Sequence, residues 1–110
     1  MIRVYHGPDE LVLGAVLLDD ERLLSRVRER TEEYHLVAQV ATNSLDEAFR
    51  LTNTLESAWW ENAEVAFFGS AQYGLKGARS TSIGDVFECA NKERYVVSRI
   101  GFVLLPDPKK

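Results

Sequence analysis

Ile2 to His6 (IRVYH) alternates apolar and polar side chains with a β-branched and aromatic bias, the pattern of a half-buried strand. Gly7-Pro8-Asp9 supplies turn chemistry. Leu11 to Leu18 (LVLGAVLL) is an unbroken apolar run of strand length, which predicts a central strand buried on both faces, with Gly14 at a bulge or close approach. Asp19 or Asp20 then caps a surface helix carrying a narrow stripe of Leu23, Leu24 and Val27 among charged residues. Tyr34 to Thr42 (YHLVAQVAT) predicts a third strand, with Tyr34, Leu36, Ala38 and Val40 on one face and His35, Val37, Gln39 and Ala41 on the other.

Ser44-Leu45-Asp46-Glu47 matches a capping box, in which the serine oxygen and the glutamate carboxylate satisfy reciprocal backbone donors. The helix it starts has its core face at Leu45, Ala48, Phe49, Thr52 and Leu55. Between Glu56 and Gly77 periodicity fails, and the reading is an irregular connection with one short strand at Glu64 to Phe68. Strands resume at Asp85 to Cys89 and Arg94 to Ser98, joined by Ala90-Asn91-Lys92-Glu93 as a hairpin loop, and Phe102 to Leu105 closes the fold before Pro106 and a polar tail. These elements predict one α+β domain over residues 1–110: a mostly antiparallel sheet of five to seven strands with two helices packed on one face.

Composition narrows the function classes. The single cysteine, Cys89, excludes an intramolecular disulfide and a thiolate-built zinc or iron–sulfur site, and points to a reducing compartment. Pro8, Asp9 and Glu10 interrupt what would be the apolar core of a secretory signal, and the eight-residue run Leu11 to Leu18 is far short of the about 20 residues that span a bilayer. The expectation is a cytoplasmic protein with no membrane contact. The net charge of -4 argues against general, charge-driven nucleic-acid binding. That charge is uneven, with 13 acids against 6 bases up to Glu64 and 4 acids against 7 bases from Val65 onward. An anionic partner for the C-terminal half therefore stays open.

Arg79-Ser80-Thr81-Ser82-Ile83-Gly84-Asp85-Val86, followed by Tyr95-Val96-Val97 and Gly101-Phe102, resembles the C-terminal signature of small YodL-like domains, which are associated with large polyvalent proteins and small open reading frames of phages and plasmids. The resemblance spans Arg79 to Leu105, about a quarter of the chain, and implies a mobile-element origin without a mechanism. Read from chemistry alone, the hydroxyls of Ser80, Thr81 and Ser82 suit backbone-bonded turns, Gly84 permits positive φ, and Asp85 suits the backbone donors of the preceding loop. The functional alternative makes Arg79, the hydroxyls and nearby N–H groups an anion nest, without the spacing of a nucleotide-binding loop.

Adjacent Trp59 and Trp60 diverge whether the backbone is extended or helical, so one is expected in the core and the other at a partner or self-association surface. His6 and His35 lie in strands without metal-ligand spacing, and Cys89 lacks the surroundings that lower a thiol pKa. No cofactor or metal is expected. The leading expectation is a non-enzymatic interaction module of a phage or other mobile element. It would contact a host or element-encoded protein through Trp59, Trp60, Glu61 and Asn62, with Arg79, Ser80, Thr81, Ser82 and Asp85 as a second candidate surface. The alternative is a nucleic-acid-binding accessory protein using Lys76, Arg79, Lys92, Arg94 and Arg99, and a small hydrolase or nuclease is a distant third.

Overall fold

The computed structural model describes residues 1–54 and 57–106. It contains six strands, β1 (Ile2–His6), β2 (His35–Val40), β3 (Val65–Phe67), β4 (Val86–Glu88), β5 (Arg94–Ser98) and β6 (Gly101–Leu105), and three α-helices, α1 (Asp9–Ala15), α2 (Asp20–Glu29) and α3 (Leu45–Thr52). Two 3-10 turns, Thr31–Glu33 and Trp59–Glu61, complete the described elements. The strands form one sheet in the order β3-β2-β1-β4-β5-β6, and every neighbouring pair is antiparallel. The expected α+β class and mostly antiparallel sheet are therefore present.

The sheet is covered on both sides. Ile2 and Val4 of β1 point to one side, where Phe87, Val97, Ala48, Leu51 and Trp59 join them; Tyr5 points to the other, with Val86, Val96, Leu11, Ala15, Leu23 and Val27. Two helices do share a face, but they are α1 and α2, while the Ser44-capped helix α3 lies across the sheet from them. The core position expected at Leu55 and the tail at 107–110 lie outside the described residues.

One element changes type. Leu11 to Leu18 is not a central strand; its first part is helical, and the chain turns after Ala15. Pro8 fixes the entry with φ -58, and its carbonyl accepts from the N–H groups of both Leu11 and Val12. Asp9 and Glu10 complement the positive end of the helix dipole. Burial then follows the helical interval, with Leu11 and Ala15 inside and Leu13 and Leu17 outside. A short apolar run fits either period, and here the proline and the acids ahead of it decide.

The capping box forms by half. Ser44 Oγ accepts from Glu47 N at 3.2 Å, but Ser44 N donates to Thr42 Oγ1, and the Glu47 carboxylate pairs with Arg50. The Glu56–Gly77 connection is more ordered than its composition suggests: its described part holds the Trp59–Glu61 turn, β3, and an isolated bridge between Ser70 and Gly74.

β2 carries the irregularity that matters most for the site. Val4 pairs with Ala38 but Tyr5 pairs with Leu36, so Val37 is an extra residue in a β-bulge. The bulge resets the alternation, puts both Val37 and Ala38 in the core, and brings His35 opposite His6.

Candidate functional site

The motif segment builds a buried polar knot at the end of β1. Asp85, fully buried ahead of β4, accepts from Gly7 N at 2.9 Å and Arg79 Nη2 at 2.9 Å through Oδ1, and from Ser82 N at 2.8 Å and Arg79 Nη1 at 2.7 Å through Oδ2. Arg79 also donates Nε to Asp9 Oδ1 at 3.2 Å, Nη2 to Gly7 O and Nη1 to Ser80 O. Burial works against the guanidinium charge, but hydrogen bonding and attraction from Asp85 and then Asp9 outweigh it and hold the Arg79 pKa above its ordinary value. The corner closes with Asp85 N donating to Ser82 O and Gly84 N to Val97 O, and the Tyr34 hydroxyl donates to Gly84 O. Gly84 has φ +98, and a Cβ there would lie 3.1 Å from Ala15 Cβ and 3.3 Å from Leu11 Cδ2, so a side chain would be strained and would press on α1.

The anion that this loop cradles is therefore the chain's own Asp85 carboxylate. The N–H groups of Thr81, Ser82, Gly84 and Asp85 and the Arg79 guanidinium are already engaged. Thr81 is fully buried, with its N–H on Thr52 O and its carbonyl accepting from Asn53 Nδ2, and Ser80 Oγ donates to Thr54 O.

His6 enters the same knot. Its Nε2 lies 3.1 Å from Thr81 Oγ1 and 3.9 Å from Asp85 Oδ2, and its ring is 6.0 Å from that of Trp59. Burial, only partly offset by Asp85, drives its pKa down to about 4, so the imidazole is neutral at pH 7. Thr81, His6 and Asp85 look like a nucleophile, base and orienting acid, but the geometry does not perform that chemistry. Asp85 approaches the same ring nitrogen as the threonine, whereas an orienting acid bonds the opposite one, and the Thr81 hydroxyl has no exposed surface.

Beside the knot opens a cavity of about 260 Å³, walled by the β1 end, the α1 start, the β2 start and the Ser70–Tyr73 loop. His6, Asp9, Glu33, His35, Tyr73 and Arg79 line it together with apolar Pro8, Val37 and Ala71. In the sequence neither histidine carries a spacing that ties it to a site. Their meeting depends on the Val37 bulge, which no residue pattern in the strand announces. Among the described residues, no three His, Cys, Asp or Glu side chains group to hold a metal ion.

No family model, curated protein or solved structure matches the chain. The remaining candidates are placed by packing alone. Trp59 is in the core, its Nε1 donating to Arg79 O at 3.1 Å and its ring edge-on to Trp60 and Phe67. Trp60 is half-buried, its ring against Gly77, where a Cβ would come within 2.7 Å, and Glu61 and Asn62 are exposed. Both indoles thus serve one aromatic cluster.

Four of the five bases named for nucleic-acid contact are already paired or lie at separated positions. Arg79 is held by Asp85 and Asp9; Arg94 pairs with Glu88 at 2.9 Å and lies over the Tyr5 ring; Lys92 and Arg99 sit in the turns at opposite ends of β5. Burial raises the Cys89 thiol pKa, and Glu93 adds to the rise, which leaves the thiol unactivated. Among the described residues, no helix is long and apolar enough to cross a membrane.

Proposed function

We propose that this chain is a non-enzymatic interaction module that acts by protein–protein contact, encoded by a phage or other mobile element and working in the bacterial cytoplasm. The mobile-element part rests on the resemblance carried by Arg79 to Val86, Tyr95 to Val97 and Gly101-Phe102. The contact part rests on one observation, an exposed aliphatic surface at the C-terminal end of α1. Leu13 is 78% exposed, Leu17 82% and Ile100 90%, with Val16 half exposed beside them. Arg99 Nη1 donates to Val16 O at 3.4 Å, which links the residue next to Ile100 to that end of the helix. Single exposed aliphatics are ordinary on a protein surface, whereas a cluster of them marks an interaction site.

The partner in this reading is a protein with a complementary apolar surface, which shifts the contact from Trp59–Asn62 to α1 and the β5–β6 turn. The test compares pull-downs by wild type, Leu13→Glu/Leu17→Glu and Trp60→Ala, each checked for an intact urea transition. The α1 variant is expected to lose the captured protein while Trp60→Ala keeps it. Loss with Trp60→Ala alone returns the contact to the tryptophan segment. Recovery of nucleic acid whose binding falls steeply with salt replaces the reading with the nucleic-acid alternative.

A further inference from the structure

Among the described residues, the cavity beside the knot has no free cationic donor in its wall and keeps one free carboxylate oxygen. Arg79, the one arginine or lysine among the described residues of its wall, directs Nε, Nη1 and Nη2 to Asp9, Ser80, Asp85 and Gly7. It has no free fork to offer an anion. The opposite holds for acceptors: Asp9 uses Oδ1 for Arg79 and keeps Oδ2 unpartnered among the described residues. Glu33 also lines the wall, but both its oxygens accept from Arg30 at 2.7 Å, which leaves Asp9 Oδ2 as the carboxylate oxygen open to a ligand.

His6, buried and neutral, uses Nε2 within the knot and leaves Nδ1 without a partner among the described residues, although its ring forms part of the cavity wall. Pro8, Val37, Ala71 and the half-exposed Tyr73 ring supply apolar surface between the polar ends. A volume of about 260 Å³ suits a group of side-chain size.

We propose that this cavity binds an organic cation, a guanidinium or ammonium on a short apolar stem. The charged head pairs with the free oxygen of Asp9 and lies against the Tyr73 ring, and the stem runs along Pro8, Val37 and Ala71. Among the described residues, the wall offers the free oxygen of Asp9 and no free arginine or lysine, so an anion of the same shape finds no charge partner where the cation is held. Such a head group can come from a free small amine or from a basic side chain of a protein partner. This site is separate from the aliphatic surface of α1 and stands or falls independently of it.

The test titrates the protein with n-butylguanidinium, n-butylammonium, uncharged n-butylurea, valerate and N-acetyl-arginine amide. The readouts are the ring-proton shifts of His6 and His35 in NMR spectra at low salt. Saturable binding of both butyl cations in about the millimolar range, fitting for ligands of under about ten heavy atoms, is the expected result. Asp9→Asn, which keeps the acceptor for Arg79, is expected to weaken it about tenfold, and Ala71→Phe, which fills the cavity from an exposed position, to abolish it.

Tighter binding of the arginine amide than of n-butylguanidinium assigns the site to a partner's side chain. Equal or weaker binding assigns it to a free cation. Equal affinity for n-butylurea or valerate, no saturation by either cation, or an unchanged affinity in a folded Asp9→Asn variant overturns the proposal.

Discussion

Replacing Asp85 with asparagine isolates what the buried knot contributes to the fold. The carboxylate accepts four hydrogen bonds, from Gly7 N, Ser82 N and the two Arg79 Nη atoms. An asparagine of the same shape keeps one oxygen, which can serve Gly7 N and Arg79 Nη2. Its amide nitrogen then faces Ser82 N and Arg79 Nη1, donor against donor. Two charge-assisted bonds are lost, at about 1.5–3 kcal/mol each, and a largely buried guanidinium loses its bidentate partner. The expected cost is about 4 kcal/mol.

Against the total of about 5–15 kcal/mol usual for such domains, that is a large fraction. It corresponds to a fall in Tm of roughly 15–20 °C and, at a slope near about 1.5 kcal/mol/M, a fall of roughly 2–3 M in the urea midpoint. Urea unfolding followed by tryptophan fluorescence measures it directly, because Trp59 is buried beside the knot. Arg79→Met should cost a comparable amount, and Asp85→Asn with Arg79→Met distinctly less than the sum of the two. A midpoint within about 0.5 M of wild type for Asp85→Asn, at unchanged slope, would refute the assignment of the knot as the anchor between β1, the motif loop and β4.

Three further outcomes follow from the same geometry. His6 has a folded-state pKa of about 4 against 6.5, so the unfolded chain binds the proton more tightly; its contribution is complete above pH 6.5 and fades as pH falls toward 4. Urea titrations should show about 2 kcal/mol lost between pH 7.5 and pH 5, with His6→Gln removing that part of the slope; an unchanged slope counts against a buried neutral imidazole. Gly84→Ala should lower stability by about 1–3 kcal/mol through its positive φ and the contact with α1, read as a midpoint shift; a neutral effect would show that the corner relaxes freely. Ser44→Ala should cost about 1 kcal/mol and Glu47→Ala under about 0.5 kcal/mol in the same assay, because only the serine half of the capping box is made.

Local chemistry was legible in the chain itself. Strand β1 and strand β5 fall where alternation places them, the Asp19 and Ser44 caps accept the expected backbone donors, and Asp85 accepts from the loop before it, as a Gly-Asp corner predicts. Each of these depends on residues within a few positions of one another, which is the range over which sequence dictates conformation. The apolar run at Leu11 marks the limit: its period was ambiguous, and the proline and acids ahead of it outweighed its strand-like composition.

Tertiary structure decided everything that joins distant segments. It set α3 on the opposite face from α1 and α2, brought Arg79 to Asp9 and Gly7 across some 70 residues, and left Leu13 and Leu17 in water. Above all, a single extra residue at Val37 turned His35 to the face of His6 and so formed the cavity wall. A bulge is chosen by the packing of the whole sheet, because the cost of one unpaired residue is local while the burial it permits on Val37 and Ala38 is not.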